Sequence, residues 1–188
     1  MPLPRPGGEA LWRARRTVAF TLAHALRMLP LRTRHRSRRL LLWLVGAREA
    51  MEGELVRSGL LLPVLAALCP WPAGWEVRLC GPEMQDWELL QEADGAPCRV
   101  CAVSGTLHEV AGDGADEAAA GRGVASLGGA PDAVALLNSG LGTLILPLVE
   151  AWLPSLLLLL RMCADFCFVA AAVVVVAAAP TKPCLLCS

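Results

Sequence analysis

The sequence lacks the short motifs that carry most α/β chemistry. No G-x-x-x-x-G-K-[ST] occurs, which excludes a P-loop, and no G-x-S-x-G occurs, which leaves a serine-hydrolase elbow without support. Histidine is scarce, with only His24, His35 and His108. Acid is nearly missing from the first 39 residues, which carry ten arginines against a single Glu9. Pro2, Pro4 and Pro6 open the chain and no long apolar stretch follows the first arginines, so a secretory signal peptide is not expected. Without secretion, the eight cysteines read as free buried thiols rather than a disulfide framework. Internal repeats are absent too, which sets aside solenoids and propellers.

What is present suits one domain. The chain has 188 residues, 55% of them hydrophobic, enough to bury a core. The formal net charge of zero hides an asymmetry. The remainder after residue 39 holds seven basic and sixteen acidic residues, so a +9 arm precedes a −9 body. Such an arm is either solvated and drawn to its own acidic body, or a surface for an anionic partner: nucleic acid, anionic lipid or an import receptor. Arg32, Arg34, Arg36, Arg38 and Arg39 form its densest run; no aromatic interleaves them, as a stacking nucleic-acid site would want. The arm is also Arg-rich, acid-poor and helical in pattern, as a mitochondrial transit peptide is, though poor in Ser and interrupted by proline.

The pattern along the chain divides it into a basic arm with a helix (1–39), an α/β domain (40–161) and a hydrophobic Val/Ala tail (162–188). Apolar residues at helical spacing predict a helix over 9–28, stopped by Pro30. The run Leu40-Leu41-Leu42-Trp43-Leu44-Val45 predicts a strand buried on both faces, with Gly46 at its exit. Helical composition follows over 48–68. A strand over 75–80 closes on Gly81-Pro82, a further strand is expected over 98–110, with antiparallel pairing among its options, and another over 132–138. A helix is expected over 144–161. Strands alternating with helices imply an α/β layer domain with a mostly parallel sheet and right-handed crossovers. Residues 166–179, opening on Phe166 and closing on Ala179, fit a last sheet strand, a poorly ordered appendage, or part of a membrane span over 162–180.

Candidate chemistry is thin. Cys98-Arg99-Val100-Cys101 and Cys184-Leu185-Leu186-Cys187 are both C-x-x-C, but a strand would turn the first pair to opposite faces, so no metal site is expected. His108 and Glu109, placed on a strand, would face apart for the same reason. A cofactor cleft would lie at the strand ends, with Gly46, Glu49, Gly81, Glu83, Asn138 and Gly140 as its candidates. A single glycine after the first strand is poor for dinucleotide or S-adenosylmethionine binding. No catalytic residue and no cofactor are expected. Trp43, Trp75, Trp87 and Trp152 read as anchors of a core or an interface.

Four segments occur in a telling order: Leu42-Trp43-Leu44-Val45-Gly46-Ala47; Val77-Arg78-Leu79-Cys80-Gly81-Pro82-Glu83; Pro131-Asp132-Ala133-Val134-Ala135-Leu136-Leu137-Asn138-Ser139-Gly140; and Glu150-Ala151-Trp152-Leu153-Pro154-Ser155-Leu156. Together they resemble the C-terminal, mitochondrial splicing suppressor-like domain of MYND zinc-finger proteins. The resemblance implies a Rossmann-like, three-layer α/β domain with a mostly parallel sheet, here incomplete at its C-terminus and without established catalysis, in a family linked to mitochondrial gene expression in one branch and transcriptional repression in another. The cysteine-rich zinc module does not precede the domain here, and the Val/Ala tail stands where the family has another strand. The chain thus resembles a partial or alternatively ended member, and recruitment through the finger does not carry over. The expected function is a non-enzymatic protein-interaction domain, inside the cell, in cytoplasm, nucleus or mitochondrion. The alternatives are a degenerate S-adenosylmethionine-dependent methyltransferase-like enzyme and a tail-anchored membrane protein.

Overall fold

β1 (Leu40–Val45) has all six side chains buried, because its unbroken apolar run has no polar position to offer solvent. The computed structural model describes residues 8–28, 38–111, 131–137, 146–162, 165–169 and 174–178. In chain order the helices are α1 (Gly8–Met28), α2 (Glu54–Arg57), α3 (Leu61–Leu68), α4 (Leu107–Ala111) and α5 (Leu146–Met162). The other strands are β2 (Trp75–Gly81), β3 (Trp87–Ala93), β4 (Ala96–Ser104), β5 (Ala133–Leu136), β6 (Asp165–Val169) and β7 (Val174–Ala178). One sheet takes them in the order β3-β4-β2-β1-β5-β7-β6.

The centre of this sheet is parallel: β1 pairs with β2 and with β5, and β2 pairs with β4. β3, β7 and β6 join antiparallel. The fold is therefore mixed α/β. Its sheet is mostly parallel over β3, β4, β2, β1 and β5, and antiparallel where the tail continues it.

Alternation along β1 sorts its side chains between two cores. Leu40, Leu42 and Leu44 join Trp75, Val77 and Leu79 of β2 beneath α1, α2 and α3. Leu41, Trp43 and Val45 meet Leu107 of α4 and Leu159 of α5 on the opposite face. Each such leucine contributes about 1.5–3 kcal/mol by leaving water. Ala19, Leu22, Ala23, Ala25 and Leu26 of α1 lie in the first core, so the charge boundary near residue 39 is not a packing boundary. α1 packs on α3 and also touches β7.

Two elements differ from the sequence expectation. The strand expected over 98–110 runs instead from Ala96 to Ser104, parallel to β2, and the chain then turns into α4. The cause is a capping arrangement: the Thr106 N–H and hydroxyl both donate to Glu109 Oε2, at 2.7 and 2.6 Å, which starts a helix at Leu107. β3 was not foreseen. It forms a hairpin with β4 across Asp94 and Gly95, both at positive φ, as a two-residue hairpin turn requires. In the tail, β6 and β7 pair as a hairpin, with β7 against β5, so the described parts of 166–179 form neither one long strand nor a helix. Among the described residues, no helix is long and apolar enough to cross a membrane.

Candidate functional site

The parallel strands deliver their chain to one crest, and the loops there are knitted together by backbone. The N–H groups of Gly46 and Ala47 donate to the Cys80 carbonyl at 2.8 and 3.1 Å, Leu137 N–H to Val45 O at 2.7 Å, and Gly105 N–H to Gly81 O at 3.1 Å. Arg48 and Glu83 then form a parallel bridge. Above the crest lies a cleft of about 340 Å³. Its floor is Gly46, Ala47, Gly81 and Pro82; Arg48, Glu83 and Thr106 rim it, and Trp152 and Ser155 of α5 form its far wall. That size is at the small end for a ligand pocket.

The two glycines are explained by the protein's own packing. Gly46 has φ +79°, and a Cβ there would run into the Leu137 carbonyl and the Trp152 ring, with Cη2 2.6 Å away. A Cβ on Gly81 would run into the Ala47 backbone. The chain leaves β1 for β2 and β4 on one side and returns to β5 on the other, so the topological switch point lies between β1 and β5. Trp152 sits across that point, where a doubly wound fold usually receives its ligand.

Thr106 and Ser155, on the cleft lining, are hydrogen-bonded through the neighbouring His108. His108 Nδ1 lies 3.0 Å from the Ser155 hydroxyl, tying α4 to α5, and His108 Nε2 lies 3.4 Å from Thr106 Oγ1. Ser155 is buried on the inner face of α5. Hydrogen bonds from the Thr106 hydroxyl and N–H hold the Glu109 carboxyl below the usual carboxylate range. The buried Glu52 reaches back four residues to accept the Arg48 N–H at 2.8 Å, fixing the wide (π) turn that leaves the crest.

Of the residues expected from sequence, Gly46, Gly81 and Glu83 do meet in this cleft. Glu49 does not line it. Its carboxylate accepts from Trp87 Nε1 and Gln85 N–H, each at 3.2 Å, and pairs with Arg57. Desolvation pushes its carboxyl up, but those hydrogen bonds and the Arg57 charge together outweigh it and hold the group below the usual range. Asn138 and Gly140 lie outside the described residues, as do Arg32, Arg34 and Arg36. Arg38 is committed within the fold: its Nη1 donates to Asp132 Oδ2 at 2.9 Å and its Nη2 pairs with Oδ1. Asp132 Oδ2 also accepts the Leu41 N–H at 2.8 Å, clamping the start of β1 to the start of β5. Arg39 is half-buried beside it.

Sequence reasoning missed Arg48, Thr106 and the His108–Ser155 pair. The Thr106-x-x-Glu109 spacing was the available signal, since it marks a helix start and so rotates His108 toward α5. Cys98 points into the first core, whereas Cys101 lies half-buried on the other side of β4 beside Glu88 and Arg99. Among the described residues no cluster of His, Cys, Asp or Glu could hold a metal ion. No family model, curated protein or solved structure matches the chain.

Proposed function

We propose that the chain is a non-enzymatic protein-interaction domain on a Rossmann-like sheet, related to the C-terminal domain of MYND zinc-finger regulators of gene expression. The observation that carries this reading is Trp152 against Gly46. Nucleotide and S-adenosylmethionine sites use glycine at this corner so that a ligand can approach backbone. Here the space a side chain would take at Gly46 and Gly81 is filled by Trp152, Leu137 and Ala47, so the glycines serve internal packing. The motif residues behind the family resemblance act on one another: Trp152 covers Gly46, and Asp132 secures the strand that leads to it.

The experiment is thermal unfolding of the full chain with millimolar S-adenosylmethionine or nicotinamide dinucleotide. A ligand at 100 times its Kd stabilises by about 2.7 kcal/mol. The proposal expects no change in Tm, and a saturable rise of several degrees would overturn it. The methyltransferase-like alternative is favoured by one feature, the open cleft beside Trp152. It is the reading that such a rise would install.

A further inference from the structure

We propose that the free edge of β3 is a docking site for an extended, basic strand of a partner protein, which joins the sheet alongside β3. The proposal rests on the interaction reading above and adds the surface and the chemistry of the partner.

β3 ends the sheet order, so among the described residues no strand pairs with it on the side away from β4. Its register with β4 is unbroken from Trp87 to Ala93. The two-residue turn makes Ala93 and Ala96 a hydrogen-bonded pair, and such pairs alternate along an antiparallel ladder. Trp87, Leu89 and Gln91 therefore spend their backbone groups on β4. Glu88, Leu90 and Glu92 turn their N–H and C=O groups to the open edge. Pro97 stands opposite Glu92, at a place where β3 asks for no N–H. Proteins blunt such an edge with proline, a bulge or charge. β3 itself has no proline and no bulge, and its charge is of one sign.

That charge selects the occupant. Asp86, Glu88, Glu92 and Asp94 are all exposed, and no basic residue stands between Arg78 and Arg99. Leu90 lies between the two glutamates on the same face and is 71% exposed. A second copy of β3 does not fit: antiparallel pairing about Leu90 would set Glu88 against Glu92, and like charges directly opposite repel. The same acids repel nucleic acid and anionic lipid. On the other face Arg57 sits over the Trp87 ring, 5.4 Å from its centre, so basic side chains of a newcomer belong on the Glu88–Glu92 side. The matching strand carries base, apolar residue and base at alternate positions, its apolar residue beside Leu90. Glu88 already accepts from Arg99 Nε at 2.7 Å, so Glu92 carries more of the selection. Backbone hydrogen bonds give the attachment and the alternate side chains the specificity, as in strand addition generally. A short peptide loses much of this gain to its own ordering, which sets Kd at about 0.1–1 mM.

The test is a titration of the full isotope-labelled chain with the capped heptapeptide Thr-Lys-Thr-Val-Thr-Lys-Thr to about 5 mM, followed by amide shifts and hydrogen exchange. The expected result is saturable binding that protects the amides of Glu88, Leu90 and Glu92, which exchange fast in the free chain. Glu92→Lys should weaken binding about fivefold, and Glu88→Lys/Glu92→Lys should prefer the peptide with glutamate in place of lysine. Leu90→Pro, which removes a donor only from the open edge, should abolish binding while the Leu89 and Gln91 amides stay protected. Absence of saturable binding to the wild-type chain overturns the proposal. So does binding that Leu90→Pro retains, or equal binding of the glutamate peptide by the wild-type chain. Should Leu90→Pro lose the Leu89 and Gln91 protection, the peptide N-methylated at valine decides on the wild-type chain: undiminished binding overturns strand addition, and lost binding supports it. A wild-type dimer dissolved by Glu92→Lys or Leu90→Pro would give the edge to a second copy and overturn the basic partner. Failure of the peptide leaves the interaction reading standing without this surface, whereas S-adenosylmethionine stabilisation sinks that reading and leaves peptide binding untouched.

Discussion

The indole of Trp152 lies over Gly46, its Cη2 and Cζ2 only 2.6 and 2.7 Å from where a β-carbon would stand. The first prediction follows directly. Gly46→Ala must meet both that ring and the Leu137 carbonyl at φ +79°, a backbone region that itself costs about 1–2 kcal/mol for alanine. With overpacking added, the loss should be about 2–4 kcal/mol, read by denaturant unfolding. Trp152→Ala should cost about 2–3 kcal/mol, less than a fully buried tryptophan because the ring is half-buried. Combined, the two should cost less than their sum by about 1 kcal/mol, since removing the ring relieves part of the alanine clash. Strict additivity would mean that the two residues do not press on each other.

Asp132 accepts a backbone N–H as well as the Arg38 guanidinium, whereas Arg38 adds to Asp132 only a long 3.4 Å contact to the Arg39 carbonyl, so their substitutions should differ. Asp132→Ala leaves the Leu41 N–H without its side-chain acceptor and should cost about 1.5–3 kcal/mol, as charge-assisted hydrogen bonds do. Arg38→Ala removes a pair whose arginine is half exposed and should cost under about 1 kcal/mol. Equal costs in chemical unfolding would show that the ion pair, rather than the backbone clamp, holds β1 to β5.

Burial pushes the Cys80 thiol up to about 12, with the Gly46 N–H offsetting only part of that. In the unfolded chain the same thiol ionises near 9.0. Above that pH the unfolded state releases its proton while the folded state keeps it. Stability should therefore fall as pH rises past 9, by up to about 1.4 kcal/mol per unit from this group. Cys69 and Cys101, also raised by burial, add to the slope. Cys80→Ala should flatten the alkaline limb of a stability–pH curve; an unchanged slope would put the loss elsewhere.

Glu49 gives the opposite limb. Its carboxyl ionises below the ordinary 4.5 in the folded state, so its contribution is complete above 4.5 and is lost as pH falls through the lower folded value. Because Arg57 is partly exposed, the amount is under about 1 kcal/mol. Glu49→Gln should show that deficit near neutral pH and converge with the parent chain in acid. A deficit that persists at low pH would assign the role to shape rather than charge.

The central strands were legible because burial on both faces writes itself as an uninterrupted apolar run, as in 40–45, and because glycine marks each exit. The helix over 9–28 was legible from spacing alone, but its place in the core was not, since ten arginines in the arm drew the reading toward a separate basic segment. β3 hid because its buried side, Trp87, Leu89 and Gln91, is only half covered and its other side carries Glu88 and Glu92. Asp94-Gly95 was the overlooked sign. At the site, glycines were found by their turns, but the ring that covers Gly46 lay more than a hundred residues on. Nothing local in Gly46 says that the ring of Trp152 will close over it. The His108–Ser155 bond was invisible for the same reason, and because a strand had been drawn through a helix cap.

α1 touches β7, so the first helix and the last strand among the described residues are neighbours. α1 finds most of its packing on α3 and adds β7 to it, so burial of the helix is complete only once the antiparallel end of the sheet has formed. Removing β7 should therefore loosen α1 as well, although the two stand at opposite ends of the described residues.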